Sequence, residues 1–153
     1  LKKVAGIVVV ILAISGVISF YSKKGGELDP IIQKAYQLVK EKKYPDAEAT
    51  FKTALKISRV DPRVYVGLGD IYFKDKRYTD ALAKFQRAID LSPANLKYRF
   101  KLAKIYSSKG QLKEAVETYK QAVKIDPKSG VAFYNLGLLY LEQKDIEKAR
   151  DSL

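Results

Sequence analysis

Residues of the same type return at a fixed step of 34 positions in this chain, and this step constrains the fold more than any single motif. The clearest series are tyrosines and alanines: Tyr72, Tyr106 and Tyr140, and Ala47, Ala81, Ala115 and Ala149. A period of this length is typical of proteins built from stacked structural repeats, in which each repeat buries its apolar side against a neighbour. We therefore interpret residues 28–153 as a repeat domain.

Each repeat shows two amphipathic helical patterns joined by a short turn. In the second repeat, Asp61 and Pro62 are typical of a helix start, because aspartate caps free N–H groups and proline suits the first helical position. A second helix is expected to start near Tyr78 and to end before Pro93, since proline disfavours a helical conformation in the residue before it. The pattern predicts an all-α fold of antiparallel helix pairs.

The spacing resembles that of the tetratricopeptide repeat, W-x2-L-G-x2-Y followed by A-x3-F and P. The second repeat carries this pattern as Tyr65-x2-Leu68-Gly69-x2-Tyr72, Ala81-x3-Phe85, Ala88 and Pro93. The resemblance implies an α-solenoid of three full repeats, at about 28–61, 62–95 and 96–129, and a partial fourth at 130–153. The first repeat departs from the pattern in its opening helix, where Lys34, Ala35 and Leu38 replace the Leu-Gly pair and the tyrosine.

An uncharged run of 18 residues, 4–21, precedes the repeats and is flanked by two lysines on each side. As a helix it would span about 27 Å, close to the thickness of the hydrocarbon core of a bilayer. We expect residues 1–24 to form a single transmembrane signal anchor and residues 25–27, with their two glycines, to form a linker. A cleaved signal peptide is the main alternative, but its apolar core is usually shorter.

The flanking charges say little about orientation, because the lysines balance across the run. A short basic N-terminus ahead of a first apolar segment favours a membrane topology with the repeats on the periplasmic or extracytoplasmic side. The cytoplasmic side is the alternative.

Composition excludes several kinds of chemistry. The chain has 29 Lys and Arg against 17 Asp and Glu, a formal net charge of +12, and neither His nor Cys. It therefore lacks thiol nucleophiles, imidazole bases, disulfides and nearly all types of zinc site. Asp29, Asp61 and Asp126, each directly before a proline, are interpreted as helix caps rather than as catalytic acids or bases. We predict no enzyme activity, no catalytic residue, no cofactor and no metal.

The resemblance implies a partner-binding groove on the concave side, which the first helix of each pair lines. Its candidate residues lie off the packing positions of these helices. They are Tyr36, Lys40, Arg63, Val66, Asp70, Phe73, Lys97, Phe100, Lys101, Lys104, Tyr134, Asn135 and Leu138, with Ile32, Gln33 and Val131 beside them. This basic and aromatic mixture suits a protein partner with an acidic and apolar peptide segment. The alternative is an ordinary solvated helix surface. Nucleic acid is not an expected partner, since no reading helix or basic face with exposed aromatics is evident.

These features predict a membrane-tethered adaptor or scaffold for protein–protein interaction, in bacterial envelope assembly, export or another membrane complex. The bilayer itself is the second expected partner, through residues 4–21. One alternative is an accessory subunit of a larger membrane complex that is held mainly by its transmembrane helix. Another is a protein similar to an organelle import receptor, whose repeats would face the cytosol.

Overall fold

The computed structural model describes residues 26–153, and the regular secondary structure in this range is α-helical throughout. Helix α1 covers residues 26–40. The helices that follow are α2 (Tyr44–Ile57), α3 (Pro62–Lys74), α4 (Tyr78–Leu91), α5 (Leu96–Ser108), α6 (Leu112–Ile125), α7 (Gly130–Glu142) and α8 (Ile146–Ser152). Consecutive helices pair as α1 with α2, α3 with α4, α5 with α6 and α7 with α8. The prediction of an all-α fold built from helix pairs is confirmed for the described residues.

The chain divides into two compact units. The first ends at Arg59 and contains α1 and α2, and the second is Val60–Leu153 with α3 to α8. In the second unit α3, α5 and α7 are the first helices of their pairs, and they carry most of the predicted binding residues.

The predicted transmembrane segment, residues 4–21, lies outside the described residues and stays a prediction. Between residues 26 and 153, no helix is both long enough and apolar enough to cross a bilayer. The linker prediction does not hold for Gly26 and Glu27, because both belong to α1. Glycine costs a helix only about 1 kcal/mol relative to alanine, so a single glycine does not prevent helix formation.

The turn inside each described pair has the same backbone. One residue per turn adopts a positive φ, namely Lys42 (60°), Lys76 (59°), Gly110 (71°) and Lys144 (61°), which are again 34 residues apart. The next N–H then donates to the carbonyl oxygen five residues earlier, as in the 2.8 Å bond from Arg77 N to Tyr72 O. This left-handed cap ends the first helix and satisfies carbonyls that have no partner within it.

The first helices of the second unit begin with a side-chain cap at one position of the repeat. The capping residues are Asp61, Asn95 and Ser129, whose side-chain oxygens accept hydrogen bonds from backbone N–H groups of the first turn. The predicted caps at Asp29 and Asp126 are wrong. Asp29 lies within α1, and Asp126 accepts from Lys128 N in the turn that precedes α7. Asp126 lies before the capping position, which the repeat period places at Ser129.

Small residues set the close approach of the paired helices. The second helices bury Ala47, Ala81, Ala88, Ala115 and Ala122 completely. Opposite them, a Cβ at Gly69 of α3 would lie only 2.8 Å from Phe85 Cε2 of α4. Phe85 is 1% exposed, so its ring fills the space that a larger residue at position 69 would need. Gly69, the glycine of the Leu-Gly pair in the repeat pattern, is therefore a position of close helix contact.

The core of the later repeats is continuous from α5 to α8. Its buried members include Ala103, Tyr119, Leu136, Tyr140 and Ala149. Helix α8 has seven residues, about two turns, and buries only Ala149. This core fixes α5 and α7 side by side and so positions the surface described next.

Gly69 and Gly137 occupy equivalent positions of the repeat, and substitution of each tests whether the neighbouring side chain can move aside. We expect Gly69→Ala to destabilise the protein, because overpacking against the buried Phe85 costs about 1–3 kcal/mol and outweighs the gain in helix propensity of about 1 kcal/mol. At Gly137 a Cβ would lie 2.5 Å from Leu153 Cγ, but Leu153 is 68% exposed and can rotate away. Gly137→Ala should therefore be neutral or stabilising. Urea denaturation followed by circular dichroism measures both, and equal stability of the two variants would contradict this account of helix packing.

Candidate protein-binding surface

Three lysines follow one side of α5. Lys97 lies in the first turn of the helix, and Lys101 and Lys104 follow at steps of four and three residues, which place them on the same side. We call these three residues the lysine face. All three are predicted binding residues, and the helix boundaries put them on one side of α5.

The lysine face contacts α3. Lys101 Nζ lies 2.6 Å from Asp70 Oδ1, so the two residues form an ion pair between consecutive first helices. Lys104 Nζ lies 6.0 Å from the centre of the Phe73 ring, at the outer limit for a cation–π contact. Within residues 26–153, Lys97 and Lys104 form no ion pair, and both are exposed. Two of the three ammonium groups are therefore available to a negatively charged partner.

A pocket of about 160 Å³ lies between α3 and α5, and we call it the α3–α5 pocket. It is lined by Asp70, Phe73, Lys74, Phe85, Lys101, Lys104 and Ile105. Aromatic rings form part of its wall, and its charged lining residues are three lysines and one aspartate. An acidic side chain entering here would meet positive charge, and its methylene groups could contact the rings.

A second pocket, of about 350 Å³, lies between α5 and α7, and we call it the α5–α7 pocket. Its lining residues are Lys104, Ser107, Tyr119, Asn135, Leu138, Leu139 and Glu142. Lys104 contributes to both pockets, so the two are neighbours along the same surface. Burial raises the pKa of the Tyr119 phenol, which therefore stays neutral and acts as a hydrogen-bonding and apolar wall.

Helix α7 adds an exposed apolar row. Its members are Val131, Tyr134, Leu138 and Leu141, and we call them the α7 stripe. Their spacing of three, four and three residues puts them on one side of the helix. Asn135 lies beside the stripe and donates a 2.7 Å hydrogen bond from its side chain to the Val131 carbonyl oxygen. The stripe meets the α5–α7 pocket at Leu138.

Several predicted groove residues do not offer free surface. Val66 is 7% exposed, and Ile32 is also buried. Phe100 packs against Tyr119 at a ring-centre distance of 5.7 Å and joins the core between α5 and α7. These side chains are large and apolar, and packing against neighbouring residues removes them from water more effectively than a groove position would.

Arg63 is exposed but already engaged. Its guanidinium pairs with the capping carboxylate of Asp61 at 2.6 Å. Burial alone would raise the pKa of Asp61, but the hydrogen bonds and charge of Arg63 lower it overall. Arg63 therefore supports the start of α3, and little of its charge remains for a ligand.

In the first unit, Tyr36 and Lys40 line a separate, open pocket of about 550 Å³ together with Pro30, Gln33, Lys34 and Gln37. The Tyr36 ring meets Phe51 of α2 edge-on, with 5.1 Å between ring centres. Tyr36 thus contributes both to the packing of α1 on α2 and to the exposed surface. Lys40 is exposed.

The sequence analysis missed eight residues of the surface in the second unit. They are Lys74, Phe85 and Ile105 in the α3–α5 pocket, Ser107, Tyr119, Leu139 and Glu142 in the α5–α7 pocket, and Leu141 in the α7 stripe. Leu141 could have been found by adding one more helical step to Leu138. The other seven depend on how neighbouring helices pack on each other, which the sequence pattern does not specify.

Positive charge is concentrated in the repeat that holds the lysine face. Residues 96–129 contain nine basic and three acidic residues, whereas residues 130–153 contain three basic and four acidic ones. A cluster of one sign raises the local concentration of ligands of the opposite sign. The described surface is therefore suited to bind acidic and apolar groups side by side.

Comparisons with known proteins agree with this architecture. A family model described as tetratricopeptide repeat matches residues 32–95, a second with the same description matches 72–122, and one described as TPR repeat matches 103–144. No curated protein sequence matches the chain.

Among solved structures, a crystal structure of MamA aligns with a TM-score of 0.74 and 22% identity, over 82% of this chain and 73% of that one. A tetratricopeptide repeat protein from Parabacteroides merdae aligns with a TM-score of 0.72 and 23% identity, over 82% of this chain and 50% of that one. An O-GlcNAc transferase from Thermobaculum terrenum aligns with a TM-score of 0.67 and 17% identity, over 76% of this chain and 22% of that one. At these identities the likeness shows the fold alone.

The ion pair between Asp70 and Lys101 makes a prediction about binding. Asp70→Asn should strengthen binding of a ten-residue polyglutamate peptide several-fold, because the carboxylate that now neutralises Lys101 is removed. The pair is partly exposed, so the free energy of unfolding should fall by less than about 1 kcal/mol. Fluorescence anisotropy at low salt measures the peptide affinity.

Asp80→Asn is the matched control for this measurement. Asp80 lies on α4 and forms an ion pair with Arg77, so its replacement removes an ion pair with the same change in charge. Equal gains in polyglutamate binding for the two variants would mean that net charge, and not the position of Asp70, controls the interaction.

Proposed function

This chain belongs to the tetratricopeptide-repeat family, and we propose that it is a membrane-tethered scaffold that binds a protein partner through the first helices of its second unit. The repeat fold, which the family models and the solved structures share, supports a role in protein–protein interaction. On this proposal the described residues supply recognition, and the N-terminal region supplies attachment to a membrane of the bacterial envelope.

The observation that carries the recognition part is the position of Lys104. Its exposed side chain belongs to the α3–α5 pocket and to the α5–α7 pocket, and its ammonium group has no ion-pair partner among the described residues. A carboxylate of a partner bound at this point would gain a charge-assisted hydrogen bond. Its neighbouring side chains could enter either pocket, so one lysine can direct a peptide segment along the surface.

No catalytic role is part of this proposal. The α3–α5 pocket and the α5–α7 pocket each contain lysine, one carboxylate and at least one aromatic ring, without histidine or cysteine. Lys101 is engaged in an ion pair with Asp70 at 2.6 Å. Binding is the chemistry that this arrangement supports best.

The membrane part of the proposal rests on the sequence of residues 4–21. The run holds no charged residue, and lysines flank it on both sides. A helix of this length and composition matches the bilayer core. We place the repeats on the extracytoplasmic side, because a short basic N-terminus ahead of a first apolar segment favours that orientation.

Reversal of the lysine face tests recognition. The triple variant Lys97→Glu, Lys101→Glu and Lys104→Glu should lose partners that the wild-type chain retains in cross-linked pull-downs, because acidic segments would then be repelled. The matched control places three glutamates on exposed positions of α6, at Lys113, Lys120 and Lys124. Circular dichroism confirms that both variants remain helical. If both variants keep the same partners as wild type, the first-helix surface is not the recognition site.

Membrane attachment is tested separately from recognition. The full chain should stay in the membrane fraction after carbonate extraction, because transfer of an 18-residue apolar helix into water is strongly unfavourable. A variant in which residues 4–21 are replaced by a polar linker should move to the soluble fraction. In sealed spheroplasts, added protease should digest the repeats of the wild-type chain. Release of the wild-type chain by carbonate would contradict the tether, and protection from protease would contradict the proposed orientation.

A further inference from the structure

Helix α7 differs in chemistry from the other first helices of the second unit. Glu142 is the only charged residue among its 13 residues. Of the four positions equivalent to the α7 stripe, two are charged in α3, Arg63 and Asp70, and two are charged in α5, Lys97 and Lys104. A helix that is apolar on all sides is normally covered on all sides. In this structure the α7 stripe is exposed, which marks it as a contact surface.

The stripe has the geometry of a seam between helices. Its steps of three, four and three residues follow the alternation of a heptad pattern, in which two α-helices keep a common contact line. From Val131 to Leu141 the seam is about 15 Å long at the helical rise, or roughly three turns. A helix of similar length laid along it could place its own apolar side chains between those of the stripe.

The positive charge beside the α7 stripe determines which side chains a bound helix needs next to its apolar side. Leu138 of the stripe and Lys104 of the lysine face line the same α5–α7 pocket. An apolar row and a cationic row therefore run next to each other on α7 and α5. An occupant of both rows needs apolar side chains on one side and carboxylates on the adjoining side.

We propose that the occupant is an acidic amphipathic α-helix of a partner protein, with its apolar side on the α7 stripe and its carboxylates facing the lysine face. This inference rests on the proposed scaffold function and specifies the class of partner. Charge favours a different protein over a second copy of this chain. A second copy carries a formal net charge of +12 and would bring a further basic repeat toward the lysine face.

Helical model peptides give a direct test with the full chain. The probe is an 18-residue fluorescent peptide with leucines spaced three, four and three residues apart and glutamates along one flank of that row. Two matched peptides replace either all of these glutamates with lysine or all of these leucines with glutamine. We expect only the leucine–glutamate peptide to bind wild-type protein tightly in fluorescence anisotropy. Its affinity should fall as salt is raised, because the carboxylate–lysine contacts are screened.

Two substitutions locate the peptide. Leu138→Glu should weaken binding by more than about tenfold, because it places a charge in the apolar seam. Ile125→Glu is its matched control, since Ile125 at the end of α6 is 41% exposed and Leu138 is 44% exposed. Lys104→Glu should also weaken binding and should reduce its salt dependence, whereas Lys120→Glu on α6 should have neither effect.

The outcomes separate this inference from the broader function. If Lys104→Glu reduces peptide binding and Leu138→Glu does not, the lysine face still binds acidic ligands and the helix inference is overturned. Equal binding of the lysine-flanked and glutamate-flanked peptides would also overturn it. If sedimentation shows a dimer that Leu138→Glu dissociates, a second copy occupies the stripe and the proposed partner class is wrong. Loss of partners in the triple lysine variant would support the scaffold in each of these cases.

Discussion

The contact between Gly69 and the Phe85 ring sets how closely α3 approaches α4, and the surface of the second unit depends on that distance. The completely buried alanines of α4 and α6 impose a similar limit on the neighbouring helices. Because these positions must stay small, their side chains cannot be changed to suit a ligand. The repeating residues therefore build the frame, and the residues between them are free to carry charge on α5 and apolar side chains on α7.

This division explains how much could be read from the sequence. The 34-residue step located the paired helices and the short turn inside each pair. The same step, counted from Asp61, gives Asn95 and Ser129 as the capping residues, whereas the Asp-Pro dipeptide at Asp126 lies three residues before Ser129. In this chain the period therefore predicts the helix starts better than the dipeptide does.

The candidate surface was harder to predict for a physical reason. The ion pair of Asp70 with Lys101 and the burial of Phe100 join residues of different helices, and they depend on the rotation of one pair relative to the next. That rotation results from many small packing contacts and has no signature at a single position. Helical spacing alone could align the three lysines on α5. It could not show that one of them is already partnered or that Lys104 borders two pockets.

The repeated left-handed turns affect how the second unit folds. Each turn is closed by a hydrogen bond between residues only five positions apart, and the two helices that it joins pack on each other. Most of the entropy cost of forming a helix pair is therefore offset by contacts near in sequence. Proteins rich in such contacts fold rapidly, and arrays of repeats can begin to fold at any well-formed pair and extend from there. In the second unit α3 and α4, with the buried Phe85 between them, are suited to start this process, and the shorter pair of α7 and α8 is suited to join last.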